Sequence, residues 1–253
     1  MQNIGIILYT QGNNYKNLTK CLESLSDFKD NIMVVCDGQL PRLDIINDYN
    51  CVEFRKTDHF AGCVNHGLRH FIKTDVEHIF IVNDNIMVLD PVVFDEFIKV
   101  NDYTNLDFIV DGNSDKKRLT VELKDDYSVT LVSEFDGYIS YLNKNTVKKV
   151  GFLDERYRTT FELLDYYKRS ADAGITTPFG WFATVGGMDI NIYKQTNYPN
   201  FEHKQFSKDG VEDRIIRGMK VFKLKFKAMV NELTNIFSQK DVVNKMKNIA
   251  SRK

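Results

Sequence analysis

Asn83-Asp84-Asn85 lies inside IFIVNDNIMVLD (79–90), where the apolar run Ile79, Phe80, Ile81, Val82 stops and a second apolar segment resumes as far as Asp90 and Pro91. One carboxylate between two amides can close a turn, grip a ligand hydroxyl, or offer hard oxygens to Mg2+ or Mn2+. If the strand ran straight on, Asn83 and Asn85 would face one way and Asp84 the other; a turn there would release Asp84 from that alternation. Two more apolar runs end in similar residues: IGIILY (4–9) in Thr10-Gln11, and the run from Ile32 to Cys36 in Asp37-Gly38. His66 and His70 have zinc-chelating spacing, yet neither the glutamate of an HExxH motif nor a third nearby ligand accompanies them. There is no Walker loop and no GxGxxG, and Gly186-Gly187 in TVGGMD lacks a phosphate-loop context.

The elements that must position these residues follow from periodicity. The runs at 4–9, 32–36, 51–54, 79–82 and 108–110 are short enough for buried strands. Between them, Leu18, Leu22 and Leu25, and then Val64, Leu68, Phe71 and Ile72, mark helical faces, and a further helix is expected from about 91 to 100 with its proline in the first turn. Strands alternating with amphipathic helices predict a parallel α/β sheet covered on both faces. Residues 117–142 change to alternation (LTVEL, SVTLVS), predicting an antiparallel excursion, and a helix is expected at about 161–173 before a glycine-rich irregular stretch. Ligands of open α/β sheets bind beyond the carboxyl ends of the strands, so Thr10, Gln11, Asp37 and 83–85 converge on one edge, with Asn65 at a helix turn near it.

The totals describe an ordinary globular chain: 253 residues, 43% apolar and 27% charged, long enough for one large domain or a domain with an extension. No apolar run reaches 18 residues, so no transmembrane helix is expected. The opening MQNIGIILYT has no basic region and no small-residue cleavage site and reads as a strand rather than a signal peptide. Cys21, Cys36, Cys51 and Cys63 form no CxxC pair and read as buried apolar side chains in a reducing compartment, the cytoplasm by default. The net charge of −1 hides an asymmetry. Residues 214–253 carry eleven Lys or Arg against Glu232 and Asp241, a local +9, which leaves about −10 for residues 1–213. In that tail Ile215, Met219, Phe222, Phe226, Met229, Leu233 and Ile236 mark one helical face, and Arg217, Lys220, Lys223 and Lys227 another. A helix packed on the domain, an interfacial membrane helix, and a clamp on nucleic-acid phosphates all fit that pattern.

Five segments, in order over residues 4–174, resemble the family 2 nucleotide-sugar glycosyltransferases of the GT-A fold: IGIILYTQGNNYKNLTKCLESL, VVCDG, FAGCVNHGL, VNDN at the place of an Asp-x-Asp motif, and VGFLDERYRTTFELLDYYKRSADAG. The resemblance implies a GT-A domain over 1–213, with a mixed, mainly parallel sheet, and a basic helical extension over 214–253. It implies transfer of a sugar from a nucleotide-sugar, a UDP-sugar by preference, to an acceptor hydroxyl with inversion by single displacement. Thr10, Gln11, Asp37, Asn65, Asn83 and Asp84 would then contact the nucleotide-sugar. Asp84, Asn85 and His203 of YPNFEHKQF would hold Mn2+ or Mg2+, and Glu162 or Asp165 would act as the base, Glu162 being preferred.

Two departures stand out. Asn85 occupies a position that is usually a metal-binding aspartate, and Leu163 replaces the second member of the family's acidic pair after Glu162. For the acceptor, the basic tail suggests DNA or another phosphate-bearing polymer, as in bacteriophage transferases that glycosylate modified bases. A glycan or lipid carrier reached by peripheral membrane contact is the alternative. The rival expectations of another class are a non-catalytic nucleotide-sugar-binding protein and a nucleic-acid-binding protein working through its tail.

Overall fold

The computed structural model describes residues 3–54, 59–104, 108–110, 118–122, 128–132, 139–157, 162–175, 182–184 and 192–194. Its centre is a six-stranded sheet. β1 (Ile4–Thr10) pairs in parallel with β2 (Ile32–Asp37) on one side and β4 (His78–Asn83) on the other, and β3 (Asn50–Phe54) flanks β2. Beyond β4 lie β9 (Ile139–Asn143), antiparallel to it, and β6 (Phe108–Val110), antiparallel to β9. The expected parallel half and both covered faces are present.

The two-residue period of the strands divides the core. Ile4, Ile6 and Leu8 of β1, Val34 of β2 and Phe80 and Val82 of β4 face one layer with Leu18, Cys21 and Leu22 of α1 (Tyr15–Ser24) and Phe94 and Phe97 of α3 (Val92–Thr104). Ile7 and Tyr9, Val35, Ile79 and Ile81 face the other, against Val64, Leu68 and Phe71 of α2 (His59–Phe71), Val147 of α4 (Lys144–Val150) and Tyr166 and Tyr167 of α5 (Glu162–Asp172). Burying a Leu, Ile or Phe side chain contributes about 1.5–3 kcal/mol, so these layers fix the strand registers. Helix α2 sits unusually close to β1. A Cβ on Gly67 would meet Ile7 at 2.7 Å, and one on Gly5 would meet the Phe71 ring at 2.7 Å, so only hydrogen fits at either place.

The antiparallel excursion divides in two. β8 (Ser128–Val132) pairs with β7 (Arg118–Glu122) on one side and β10 (Phe182–Thr184) on the other in a separate three-stranded sheet, whereas β9 enters the main sheet between β4 and β6. β9 is buried along nearly its whole length, as a strand inside a covered sheet is, and its antiparallel direction is the one expected for 117–142. The irregular stretch contributes β11 (Ile192–Lys194), which pairs with β5 (Ile86–Val88) just after 83–85. His203, Gly186-Gly187 and the whole tail from 214 lie outside the described residues. Among the described residues no helix is long and apolar enough to cross a membrane.

Candidate active site

Strand order makes the crevice. The chain runs from β1 outward to β2 and β3 and then returns to β4 on the opposite side of β1, so connections leave the sheet in opposite directions from β1 and β4. Such a switch point opens a cleft at the carboxyl ends. Here those ends are Thr10, Asp37 and Asn83, with Tyr9 level with Asn83 and Thr10 level with Cys36.

The backbone turns at Asp84-Asn85, so the straight-strand alternation does not apply. The Asp84 N–H still donates to the Tyr9 carbonyl at 3.2 Å, extending the β1–β4 ladder by one residue. Its side chain is 1% exposed and turned toward β1, where the fully buried Thr10 hydroxyl donates to Asp84 Oδ2 at 2.5 Å. Thr10 Oγ1 in turn accepts the Gly12 N–H at 3.0 Å, which ties the β1–α1 loop to the same carboxylate. Gly12 has φ +70°, and a Cβ there would lie 2.2 Å from the Gln39 carbonyl; glycine alone lets this loop lie against the one after β2. Asn14 then caps α1, its side-chain oxygen accepting the Asn17 N–H at 3.2 Å.

Around this strut, Gln11 is exposed and accepts from Asn13 Nδ2 at 3.4 Å, and Asp37 is half-buried at the end of β2. Tyr9, packed edge-on against Phe60 at 5.0 Å, has its phenol pushed up by burial and then by the Asp37 charge. Burial also pushes the Cys36 thiol up to about 12 and the Cys51 thiol up to about 11, and holds Cys21 well above its usual value, so none of the three is a thiolate nucleophile. None of the four cysteines is joined in a disulfide. The His66 and His70 rings sit edge-on against different partners, Phe54 and Phe71.

Among the described residues no group of three or more His, Cys, Asp or Glu side chains is arranged to hold a metal. The turn nevertheless fits a hard cation that takes part of its shell from a ligand. Asn85, which follows Asp84 in the turn, has a buried Oδ1 without a hydrogen-bond partner among the described residues. An unmatched amide oxygen and a carboxylate are the donor types Mg2+ and Mn2+ select, and such ions are commonly held by one or two carboxylates plus substrate phosphates.

The second group of candidates lies on α5. Glu162 is in its first turn and 2% exposed. Asp165 is fully buried; it accepts from Arg169 Nε at 2.8 Å, an i,i+4 pair, and from the Tyr157 hydroxyl at 3.3 Å. Burial and the Asp165 charge push the Tyr157 phenol up. Asn65 does something the sequence reading did not anticipate. Its Nδ2 donates to the Leu153 carbonyl at 2.9 Å and to Glu155 Oε1 at 2.7 Å, and its Oδ1 accepts the Leu153 N–H at 2.9 Å. Both amide protons are thus engaged by the segment before α5 rather than directed to the strand-end cleft. Tyr157 was also missed, since nothing in a sequence tells a core tyrosine from one whose hydroxyl orients a carboxylate.

No protein-family model matches the sequence, and no curated protein matches it. Solved structures do match in shape. S. aureus TarS 1-349 aligns with 98% of this chain over 71% of its own length, at TM-score 0.57 and 11% identity. The Pyrobaculum calidifontis mannosyltransferase PcManGT, in complex with GDP-Man and Mn2+, aligns with 99% of this chain over 73% of its own, at TM-score 0.55 and 9% identity. GalNAc-T7, with UDP, GalNAc and Mn2+, aligns with 97% of this chain over 54% of its own, at TM-score 0.55 and 8% identity. With its mixed, mainly parallel sheet and helices on both faces, the chain has the GT-A fold of these glycosyltransferase structures.

Proposed function

We propose that this chain is a glycosyltransferase that moves a sugar from a nucleotide-sugar, a UDP-sugar by preference, to an acceptor hydroxyl. The observation that carries this reading is the Thr10–Asp84 strut at the switch point, followed in the same turn by Asn85 with its unmatched buried oxygen. The nucleotides and Mn2+ held by two of the similar structures support it.

In this reading Thr10, Gln11, Asp37 and Asn83 line the nucleoside side, with Thr10 acting through the β1–α1 loop it fixes. Asp84 and Asn85, joined by His203, would hold Mn2+ or Mg2+. When bound, the ion supplies positive charge to the diphosphate oxygens, which lowers the cost of the leaving group. The acceptor hydroxyl forms its bond to the anomeric carbon as the bond to the diphosphate breaks, and Glu162 takes the hydroxyl proton. A single displacement of this kind inverts the anomeric centre. Asp165 is held by Arg169 and Tyr157 and serves as an anchor, while Glu162, at the first position of the acidic pair, is the base in this reading. Residues 1–213 would form the transferase domain of a cytoplasmic protein. The basic extension, 214–253, would bring it to DNA or another phosphate-bearing polymer, or to a glycan or lipid carrier at a membrane surface.

A second reading is favoured by the amide at position 85 and the leucine at 163: a nucleotide-sugar-binding protein without turnover. Release of UDP from a panel of UDP-sugars, with water, DNA and glycan hydroxyls offered as acceptors of the sugar, in Mn2+ and in EDTA, separates the two. A transferase releases UDP, and Glu162→Gln loses that release while still binding UDP. Binding without release in the wild type would establish the second reading.

A further inference from the structure

The segment 151–157 contains neither helix nor strand, yet two of its apolar side chains are buried, Leu153 at 3% exposure and Tyr157 at 1%. A buried irregular segment needs outside partners for its backbone polar groups. Two helices supply them. From α2, Asn65 pairs with both the N–H and the carbonyl of Leu153, as a neighbouring strand would, and Arg69 joins Asn65 on Glu155, at 2.8 Å. From α5, Arg169 donates through Nη1 to the Val150 carbonyl at 2.6 Å and through Nη2 to the Phe152 carbonyl at 2.8 Å. Its third nitrogen, Nε, donates to one oxygen of Asp165, whose other oxygen accepts from Tyr157 at the end of the same segment.

These bonds form a closed frame, from α2 through 150–157 to α5. Its consequence for Glu162 comes from helix geometry. Residues i and i+3 share a face, so the rotation of α5 that places Asp165 against Tyr157 and Arg169 also directs Glu162. We infer that Asn65 and Arg169 are positioning residues for the proposed base: they clamp 150–157 between α2 and α5 and thereby set the azimuth of the first turn of α5. This rests on the transferase reading. It gives Asn65 a role in the reaction without a contact to nucleotide, and it gives Asp165 the role of an anchor for Glu162 instead of a second base.

The test uses the full chain and two variants. Asn65→Ala removes the α2 side of the clamp, and Tyr157→Phe removes only one hydroxyl, so it serves if the first variant folds poorly. Three quantities are read: exchange of the Leu153 amide, the thermal shift with UDP and Mn2+, and kcat and KM for UDP release from UDP-glucose and UDP-N-acetylglucosamine. The expected result for Asn65→Ala is faster Leu153 exchange, an unchanged UDP shift, and a kcat lowered by about tenfold or more with donor KM nearly constant, since small misplacement of a reacting group is costly. Tyr157→Phe should lower kcat in the same way by a smaller factor. Unchanged kcat in a folded variant would make the clamp purely structural and overturn the inference alone. A lost UDP shift would put Asn65 in the nucleotide site and overturn it as well. No UDP release by the wild type would remove the transferase reading, and this inference with it.

Discussion

Asp84 and Asp165 are both buried carboxylates near functional candidates, and the protein treats them differently. Asp165 is met by a guanidinium and a phenol, which place a full positive charge against it. Asp84 accepts from the Thr10 hydroxyl, and the next residue of the turn, Asn85, carries a buried amide oxygen with no hydrogen-bond partner among the described residues. The first arrangement is the form a structural ion pair takes. The second keeps hard oxygens concentrated at a strand end, where a sheet of this topology opens its cleft. Burial alone therefore does not identify a functional carboxylate; the chemistry of its partners separates an anchor from a site.

Substitution should widen that contrast. The largest effect is expected at the anchor. Arg169→Ala leaves Asp165 buried and uncompensated and should cost about 3–5 kcal/mol in urea unfolding. The double change Asp165→Leu with Arg169→Met should recover much of that loss, because apolar side chains of similar volume replace a buried pair at little cost. A double variant as unstable as the single one would mean that the bonds from Arg169 to 150 and 152 matter more than the pair. At the site the order reverses. Asp84→Asn keeps the shape and should leave stability nearly unchanged, while lowering UDP release by about 10²-fold, the scale of losing one main electrostatic contact in a transition state. Equal damage to stability and turnover would make Asp84 a strut only.

The next effect is smaller and of opposite sign. Asn85→Asp adds a full charge where an amide now stands, so it should lower the Mn2+ concentration needed for half-maximal stabilisation by UDP, by about tenfold. An unchanged midpoint would show that this side chain does not face the ion. The smallest effect concerns the clamp. The Glu155 carboxyl lies below its usual range, chiefly through the Asn65 hydrogen bond and then through Arg69. A folded-state value below the unfolded one gives stability that is complete above the unfolded carboxylate range and fades as pH falls through the folded value. Half-exposed, Glu155 should contribute only about a few tenths of a kcal/mol. Unfolding of the wild type and Glu155→Gln should therefore converge at low pH, and a gap that widened on acidification would reverse the sign.

What the sequence made legible follows the same division. The cleft was readable because Thr10, Asp37 and 83–85 each interrupt an apolar run, and strand ends on one edge need no side-chain geometry to be grouped. The two helical faces around Leu22 and Leu68 were readable from their period. The sheet that β9 joins was not, since a short buried run reads alike whether it pairs with β4 and β6 or with the neighbouring hairpin. Nor was the work of Asn65: an asparagine on a helix reads alike whether it meets a ligand or the backbone of Leu153, eighty-eight residues away. The turn at Asp84-Asn85 could be named as a condition but not decided, because its outcome depends on Thr10 across the sheet.

The central claim is that the strand-end cleft takes a nucleoside diphosphate together with a divalent ion. Thermal unfolding of the full chain with UDP, in Mn2+ and in EDTA, tests it most directly. UDP at a hundred times its Kd should stabilise by about 2.7 kcal/mol, an easily measured rise in Tm. The account expects that rise in Mn2+, a clear reduction in EDTA, and its loss in Asp84→Asn. The absence of any shift with UDP, repeated with other nucleoside diphosphates and Mn2+, would contradict it.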